Sequence, residues 1–229
     1  IDQIAGNAVA DTTTAGNVTV TGNSSTTAVT VTSSTAATEA AAVVGRVNGT
    51  VTIVDGNTAT TASDTITAVT LSHYGNSSVT SNVLDTVNLT GATTASGSLG
   101  LNITAADTST RATTLTLNMA GGKVGAITGT QADLYTTVNV VSTAASTIAD
   151  VSIDKATTLA VSGAGVTTFT QNQSVAVLAT VTSTGGGLSL GTALGTGVTF
   201  TGGVGVETIS IGATTKAITM GGGNDAVTI

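Results

Sequence analysis

Short runs in which aliphatic or β-branched residues alternate with Thr, Ser or Asn recur along the chain. Val18-Thr-Val-Thr21, Ala28-Val-Thr-Val-Thr32, Thr50-Val-Thr-Ile-Val54, Ile66 to Leu71, Thr86-Val-Asn-Leu-Thr90, Thr114-Leu-Thr-Leu-Asn118, Thr136 to Val141, Val151-Ser-Ile153 and Thr158 to Ser162 all read this way. Successive side chains of a strand point to opposite faces, so a period of two predicts strands with one face inward. Gly, Asn, Asp and Ser fill the joints between the runs, as turns require. Only Thr35 to Val44 is Ala-rich enough for a helix, and without the helical period it reads equally as a long loop. The fold class is all-β.

Composition selects the architecture. Aromatic residues make up 2% of the 229 residues, and the apolar 40% is mostly Ala and Val. A β-sandwich must fill a gap of about 10 Å between its sheets with bulky side chains. A narrow solenoid instead stacks Val, Ile, Leu and Ala on their equivalents in the next coil. The scarcity of rings predicts a right-handed parallel β-solenoid. Thr, nearly a quarter of the chain, then stacks outward in ladders whose cross-strand pairs contribute about 0.2–1 kcal/mol each.

The C-terminal third carries a measurable repeat. Thr184-Gly-Gly-Gly-Leu-Ser189, Gly202-Gly-Val-Gly-Val-Glu207 and Met220-Gly-Gly-Gly-Asn-Asp225 align at equal spacing (207 − 189 = 225 − 207 = 18). Short strands follow these loops at Leu188-Ser-Leu190, Thr208-Ile-Ser-Ile211 and Ala226-Val-Thr-Ile229. Half a turn later come Val198-Thr-Phe-Thr201 and Ala217-Ile-Thr-Met220. That is two strands and two loops per coil. Spacing upstream is looser, which divides the chain into an irregular solenoid over 1–183 and regular coils over 184–229.

Charge narrows the function. Charged residues are 7% of the chain, against about a quarter in ordinary globular domains. A mean hydropathy of +0.42 is the opposite of charge-driven disorder. The net charge is −7, and the five basic residues are scattered singly, so no patch can neutralise a run of phosphates and nucleic acid is a poor partner. The longest apolar run, Ala40 to Val44, cannot cross a bilayer, so no transmembrane segment is expected. Ile1-Asp2-Gln3-Ile4 has neither an initiator Met nor a basic-then-apolar leader, which suits a segment of a longer or processed chain. With no Cys there is neither a disulfide nor a thiolate metal site.

Catalytic signatures are missing: there is no H-E-x-x-H and no G-x-S-x-G. The single histidine, in His73-Tyr74, reads as a solvated turn. Asp150 and Asp154 bracket Val151-Ser-Ile153 and would share a face of a regular strand, as solvated acids or a second cation site. Asp55-Gly-Asn57 and Asp107 read as turn residues. No enzyme is expected.

One motif carries chemistry. Gly202-Gly-Val-Gly-Val-Glu-Thr-Ile-Ser210 fits the nonapeptide G-G-x-G-x-D-x-U-x with Glu for Asp, and Met220-Gly-Gly-Gly-Asn-Asp-Ala-Val-Thr228 fits it with Met for the first Gly. This is the calcium-binding repeat of RTX proteins. Glycines permit positive φ and turn carbonyl oxygens inward, while a carboxylate adds the charge that a hard cation wants among its 6–8 oxygen ligands. One coil apart, Glu207 and Asp225 should stack about 4.8 Å apart and share an ion. Ser189 stands at the acid's place in the preceding coil. Lys216 stands at the equivalent place on the opposite bend, where no cation belongs.

Val18 to Asn48 and Val198 to Ile229, the latter reading VTFTGGVGVETISIGATTKAITMGGGNDAVTI, resemble the central part of Caulobacter-type RTX surface-layer (S-layer) proteins. The resemblance implies an RTX-type β-roll over 184–229. Its Ca2+ ligands would be the carbonyls of Gly202 and Val204 with Glu207, and the carbonyls of Gly221 and Gly223 with Asp225. It also implies an extracellular subunit at the bacterial cell surface, exported by type I secretion and assembled with copies of itself into a two-dimensional lattice. Attachment to lipopolysaccharide would run through regions outside this segment. The alternative is the stalk of a large type I secreted calcium-dependent adhesin. An RTX-associated polysaccharide lyase or epimerase would need a groove lined with acids and bases that the sequence does not display.

Overall fold

The computed structural model describes residues 2–4, 17–34, 49–56, 63–72, 74–90, 97–102, 110–129, 135–171 and 177–229. The chain climbs by alternating between two parallel ladders. One ladder holds β1 (Asp2–Ile4), β3 (Ala28–Ser34), β5 (Ala68–Ser72), β7 (Thr86–Thr90), the first parts of β9 (Thr114–Gly129) and β10 (Thr137–Ser152), then β11 (Thr158–Ser162), β13 (Thr180–Ser183), β15 (Thr199–Thr201) and β17 (Ile218–Thr219). The other holds β2 (Val18–Thr21), β4 (Val51–Val54), β6 (Ser77–Thr80), β8 (Leu99–Asn102), the second parts of β9 and β10, then β12 (Thr167–Phe169), β14 (Gly187–Leu194), β16 (Val206–Ile211) and β18 (Ala226–Thr228). Two strands make one coil of a right-handed parallel β-solenoid.

Coil length is irregular upstream, with Ala28 pairing Ala68 (68 − 28 = 40), Ala68 pairing Thr86 (86 − 68 = 18) and Thr86 pairing Thr116 (116 − 86 = 30), and it evens out toward the C-terminus. Val18 pairs with Val51 (51 − 18 = 33), Thr167 pairs with Leu188 (188 − 167 = 21), and Thr208 pairs with Ala226 (226 − 208 = 18). The last two windings measure 19 positions (Leu188 to Glu207, 207 − 188) and 18 (Thr208 to Ala226), close to but not the strict 18 read from sequence, and the ladders continue past positions 183 and 184 without a break. Strands β9 and β10 run through one bend as unbroken strands, paired on both sides of a register shift between Ser142 and Ala144.

Inward positions form columns. Val29, Val69, Val87, Leu117, Val140 and Val161 are in register from coil to coil and all are buried. Burying such a side chain contributes about 1.5–3 kcal/mol. The few rings are all spent on this core: Tyr74, Tyr135, Phe169 and Phe200 are each at most 1% exposed. Tyr135 satisfies its hydroxyl by donating to the Leu84 carbonyl at 2.6 Å. The Tyr74 hydroxyl has no hydrogen-bond partner among the described residues, and burial holds its pKa well above the usual phenol range.

Outward positions also stack. Thr114, Thr137, Thr158, Thr180 and Thr199 stand one above another across five windings, the Thr ladder that composition implied. On the same face Asn118 Nδ2 donates to Asn88 Oδ1 at 2.8 Å, and Asn88 Nδ2 donates to Thr70 Oγ1 at 3.1 Å. Such ladders favour parallel in-register stacking over any slipped alternative.

Strands expected at 18–21, 86–90 and 158–162 are found with those bounds. Val151-Ser-Ile153 is the tail of β10, which ends at Ser152. The sequence pattern passed over β6, β8, β12 and β13, whose inward residues are too few or whose alternation is interrupted by Gly100. Thr35 to Val44, His73 and Asp107 lie outside the described residues.

Two substitutions test this architecture. A Cβ on Gly97 would collide with the backbone of Gly75 and Asn76 in the coil below. Gly97→Ala should therefore cost about 1–3 kcal/mol in urea unfolding. Phe200→Ala should cost about 3–5 kcal/mol, and amide exchange should accelerate mainly in the flanking β13 and β17, because coils are coupled to nearest neighbours.

Candidate metal centre

The loops over 202–205 and 221–223 carry the chain from the first ladder to the second, joining β15 to β16 and β17 to β18. They stack directly: Gly202 N donates to the Thr219 carbonyl at 2.7 Å, and Gly222 N donates to the Gly203 carbonyl at 2.7 Å. Positive φ occurs at Gly221 (82°) and Gly223 (129°) but not at Gly202, Gly203 or Gly205. In the earlier loop glycine answers closeness instead. A Cβ on Gly202 would strike the Met220 carbonyl and come within 2.9 Å of Glu207 Oε2.

Glu207 occupies an inward position, opposite Leu188, and is 0% exposed. This corrects the alignment made from sequence. The coil from Leu188 to Glu207 is one position longer than the coil that follows, so the acid's counterpart is buried Leu188, while Ser189 pairs with outward Thr208. A slip of one position moves a side chain to the other face of a strand. An acid therefore stands in an inward column whose other members are Gly122, Ser146, Thr167 and Leu188, of which only Leu188 has a large apolar side chain.

The Glu207 carboxylate spans coils. Ser183, in the preceding coil, donates its hydroxyl to Glu207 Oε1 at 3.0 Å, and the pair is buried. In the following coil, half-buried Asp225 uses Oδ1 to accept the Glu207 backbone N–H at 3.0 Å. Glu207 Oε2 is buried and has no hydrogen-bond partner among the described residues. Burial pushes the Glu207 pKa up; the Ser183 hydroxyl and the Gly203 backbone pull against it, while the negative charge of Asp225 and a side-chain hydrogen bond shared with it add to the rise.

Acids from successive windings are thus together at one bend, as their spacing predicted. They fit a hard divalent cation by chemistry: two carboxylates, one with a desolvated and unsatisfied oxygen, beside glycine-lined backbone turns. Among the described residues no group of three or more His, Cys, Asp or Glu gathers anywhere, so the remaining oxygen ligands would have to be carbonyls. Gly221 and Gly223 have the dihedrals that redirect them. Val204 is 82% exposed and its side chain has no ligand atom, so only its carbonyl could take such a role.

Other singled-out residues sort differently. Lys216 is exposed on the opposite bend, between β16 and β17, where its backbone N–H is capped by Thr214 Oγ1 at 3.0 Å. Asp55 is fully buried and accepts the Thr65 and Ile66 amides at 2.6 and 2.7 Å, the work of a turn residue. Asp154 is exposed beyond the end of β10, so no single strand pairs it with Asp150. Sequence reasoning missed Ser183. Its one signal is a Ser where Val140 and Val161 stand in the preceding coils.

A raised folded-state pKa means that the native protein holds the Glu207 proton more tightly than the unfolded chain does. In cation-free buffer the C-terminal coils should be most stable below the unfolded value of about 4.5. They should lose stability as pH rises from there through the raised folded value. Glu207→Gln should flatten that dependence in thermal melts followed by C-terminal amide exchange.

No protein-family model matches the chain, and no curated protein matches it.

Proposed function

We propose that the chain is a non-catalytic structural segment of a calcium-dependent bacterial surface layer, exported by type I secretion and held at the cell surface in a two-dimensional lattice of its own copies. The observation that carries this reading is the buried Glu207 carboxylate, with its unsatisfied oxygen, one coil from Asp225 at a glycine-lined bend. The segment 184–229 would act as RTX-type β-roll coils. Glu207, Asp225 and the carbonyls of Gly202, Val204, Gly221 and Gly223 would hold Ca2+. Bound calcium supplies positive charge that offsets two carboxylates confined to one bend. Ser183 fixes one oxygen of Glu207, and Gly202 leaves room for the other.

Supporting features are the in-register coils, which suit a repetitive scaffold, and the resemblance of segments 18–48 and 198–229 to surface-layer proteins. Among the described residues no helix is long and apolar enough to cross a membrane. Contact with lipopolysaccharide would fall to regions outside this segment. The adhesin-stalk reading is favoured by one observation, the ladder that runs unbroken from β2 to β18. A column of nearest-neighbour coils is also what a stalk requires.

An ion that binds only the folded coils stabilises them by mass action, about 2.7 kcal/mol at a hundredfold excess over Kd. Calcium should therefore raise the melting midpoint of the C-terminal coils. Asp225→Ala should abolish that rise, while Asp154→Ala should leave it intact; equal loss in both would overturn the calcium assignment. Electron microscopy of the intact protein in calcium should show sheets with a regular repeat. Isolated rods would replace the surface-layer reading with the stalk.

A further inference from the structure

Thr167, Leu188 and Glu207 continue one inward column of the second ladder that begins with Gly122 and Ser146. Their neighbours in the preceding coil follow their polarity. Thr167 pairs its hydroxyl with that of Ser142 at 2.6 Å, both buried. Leu188 follows a coil that offers Val161 and Gly163, with no side-chain hydroxyl at either inward place. Glu207 again follows a hydroxyl, that of Ser183. Ser183 itself sits in the column of Val140 and Val161 and is 1% exposed. A buried Ser in a Val column gives up apolar burial, so the hydroxyl has to be explained by what it touches.

We propose that Ser183 is a positioning residue for the cation site: by holding Oε1 of Glu207 from the preceding coil, it orients the carboxylate so that Oε2 is the atom left to bind. The inference rests on the reading of Glu207 and Asp225 as cation ligands. It makes the site a three-coil device, with Ser183, Glu207 and Asp225 contributed by successive windings. A carboxylate with one oxygen already hydrogen-bonded loses less freedom on binding than one free to rotate.

Terbium luminescence and calcium titration on the full chain test the proposal. Ser183→Ala should weaken calcium binding about tenfold, the scale of one hydrogen bond to a charged group. Ser183→Thr, which keeps the hydroxyl, should restore it. Amide exchange in β5 to β10 should be unchanged in both, which separates positioning from general damage. A second variant guards against misfolding: Ser183→Val with Glu207→Leu recreates the Val161 and Leu188 combination of the preceding coil, and should fold with C-terminal order that no longer responds to calcium. Wild-type affinity in Ser183→Ala, with affinity lost in Asp225→Ala, would overturn the positioning role and leave the site standing. Unchanged affinity in both Asp225→Ala and Glu207→Gln would overturn the site and the inference with it.

Discussion

The structure depends on one constraint: every inward side chain must be covered by its own counterpart about 4.8 Å above and below. Parallel register makes that possible, since Val69 meets Val29 and Val87, and Leu117 meets Val87 and Val140. Aliphatic columns of this kind exclude water without the thick core that rings usually provide. The same constraint reaches the corners. Where bends stack at backbone distance, as Gly125 does on Gly97, a side chain has no place. Outward Thr and Asn ladders then add small, repeated contributions that penalise slippage.

Such a fold makes departures conspicuous. A buried carboxylate with an unsatisfied oxygen is a local conflict, even in a column that also holds Ser146 and Thr167, and a local conflict that persists points to function. Comparing the two fully buried acids sharpens the point. Asp55 accepts two backbone amides of a neighbouring turn through Oδ2, the work of a structural turn residue. Glu207 spends one oxygen on Ser183 and leaves the other unsatisfied beside Gly202, with a second acid close by. Burial alone does not separate the two; the second acid one coil on, which accepts the Glu207 amide, does.

Period-two alternation made the fold class legible, and the lack of rings made the solenoid legible, because both follow from side-chain geometry. The acid pair was legible too, since the spacing of Glu207 and Asp225 is a property of the chain. Register upstream of Glu207 was not. The glycine-rich loop before it aligns almost as well when shifted by one position, and only the hydrogen-bonded ladder shows that Leu188, not Ser189, is the counterpart. Ser183 stayed hidden for the same reason: its meaning lies in a column whose members, Val140 and Val161, stand whole windings away along the chain. Short strands such as β12 were invisible because so brief a segment carries no period, although coil-on-coil pairing holds it firmly.

Quasi-one-dimensional stacking also sets how far an ion's influence can travel. Coils around Leu117 or Val140 have apolar columns on both sides and need nothing further. The coils of Glu207 and Asp225 differ, because one inward column there carries charge. Neutralising that charge would strengthen the interface between two windings and, through Ser183, a third. Beyond that the coupling decays from neighbour to neighbour. A cation bound at this bend, as proposed, would therefore act as a local clamp, ordering the windings that hold it while the aliphatic body of the solenoid stands on its own packing.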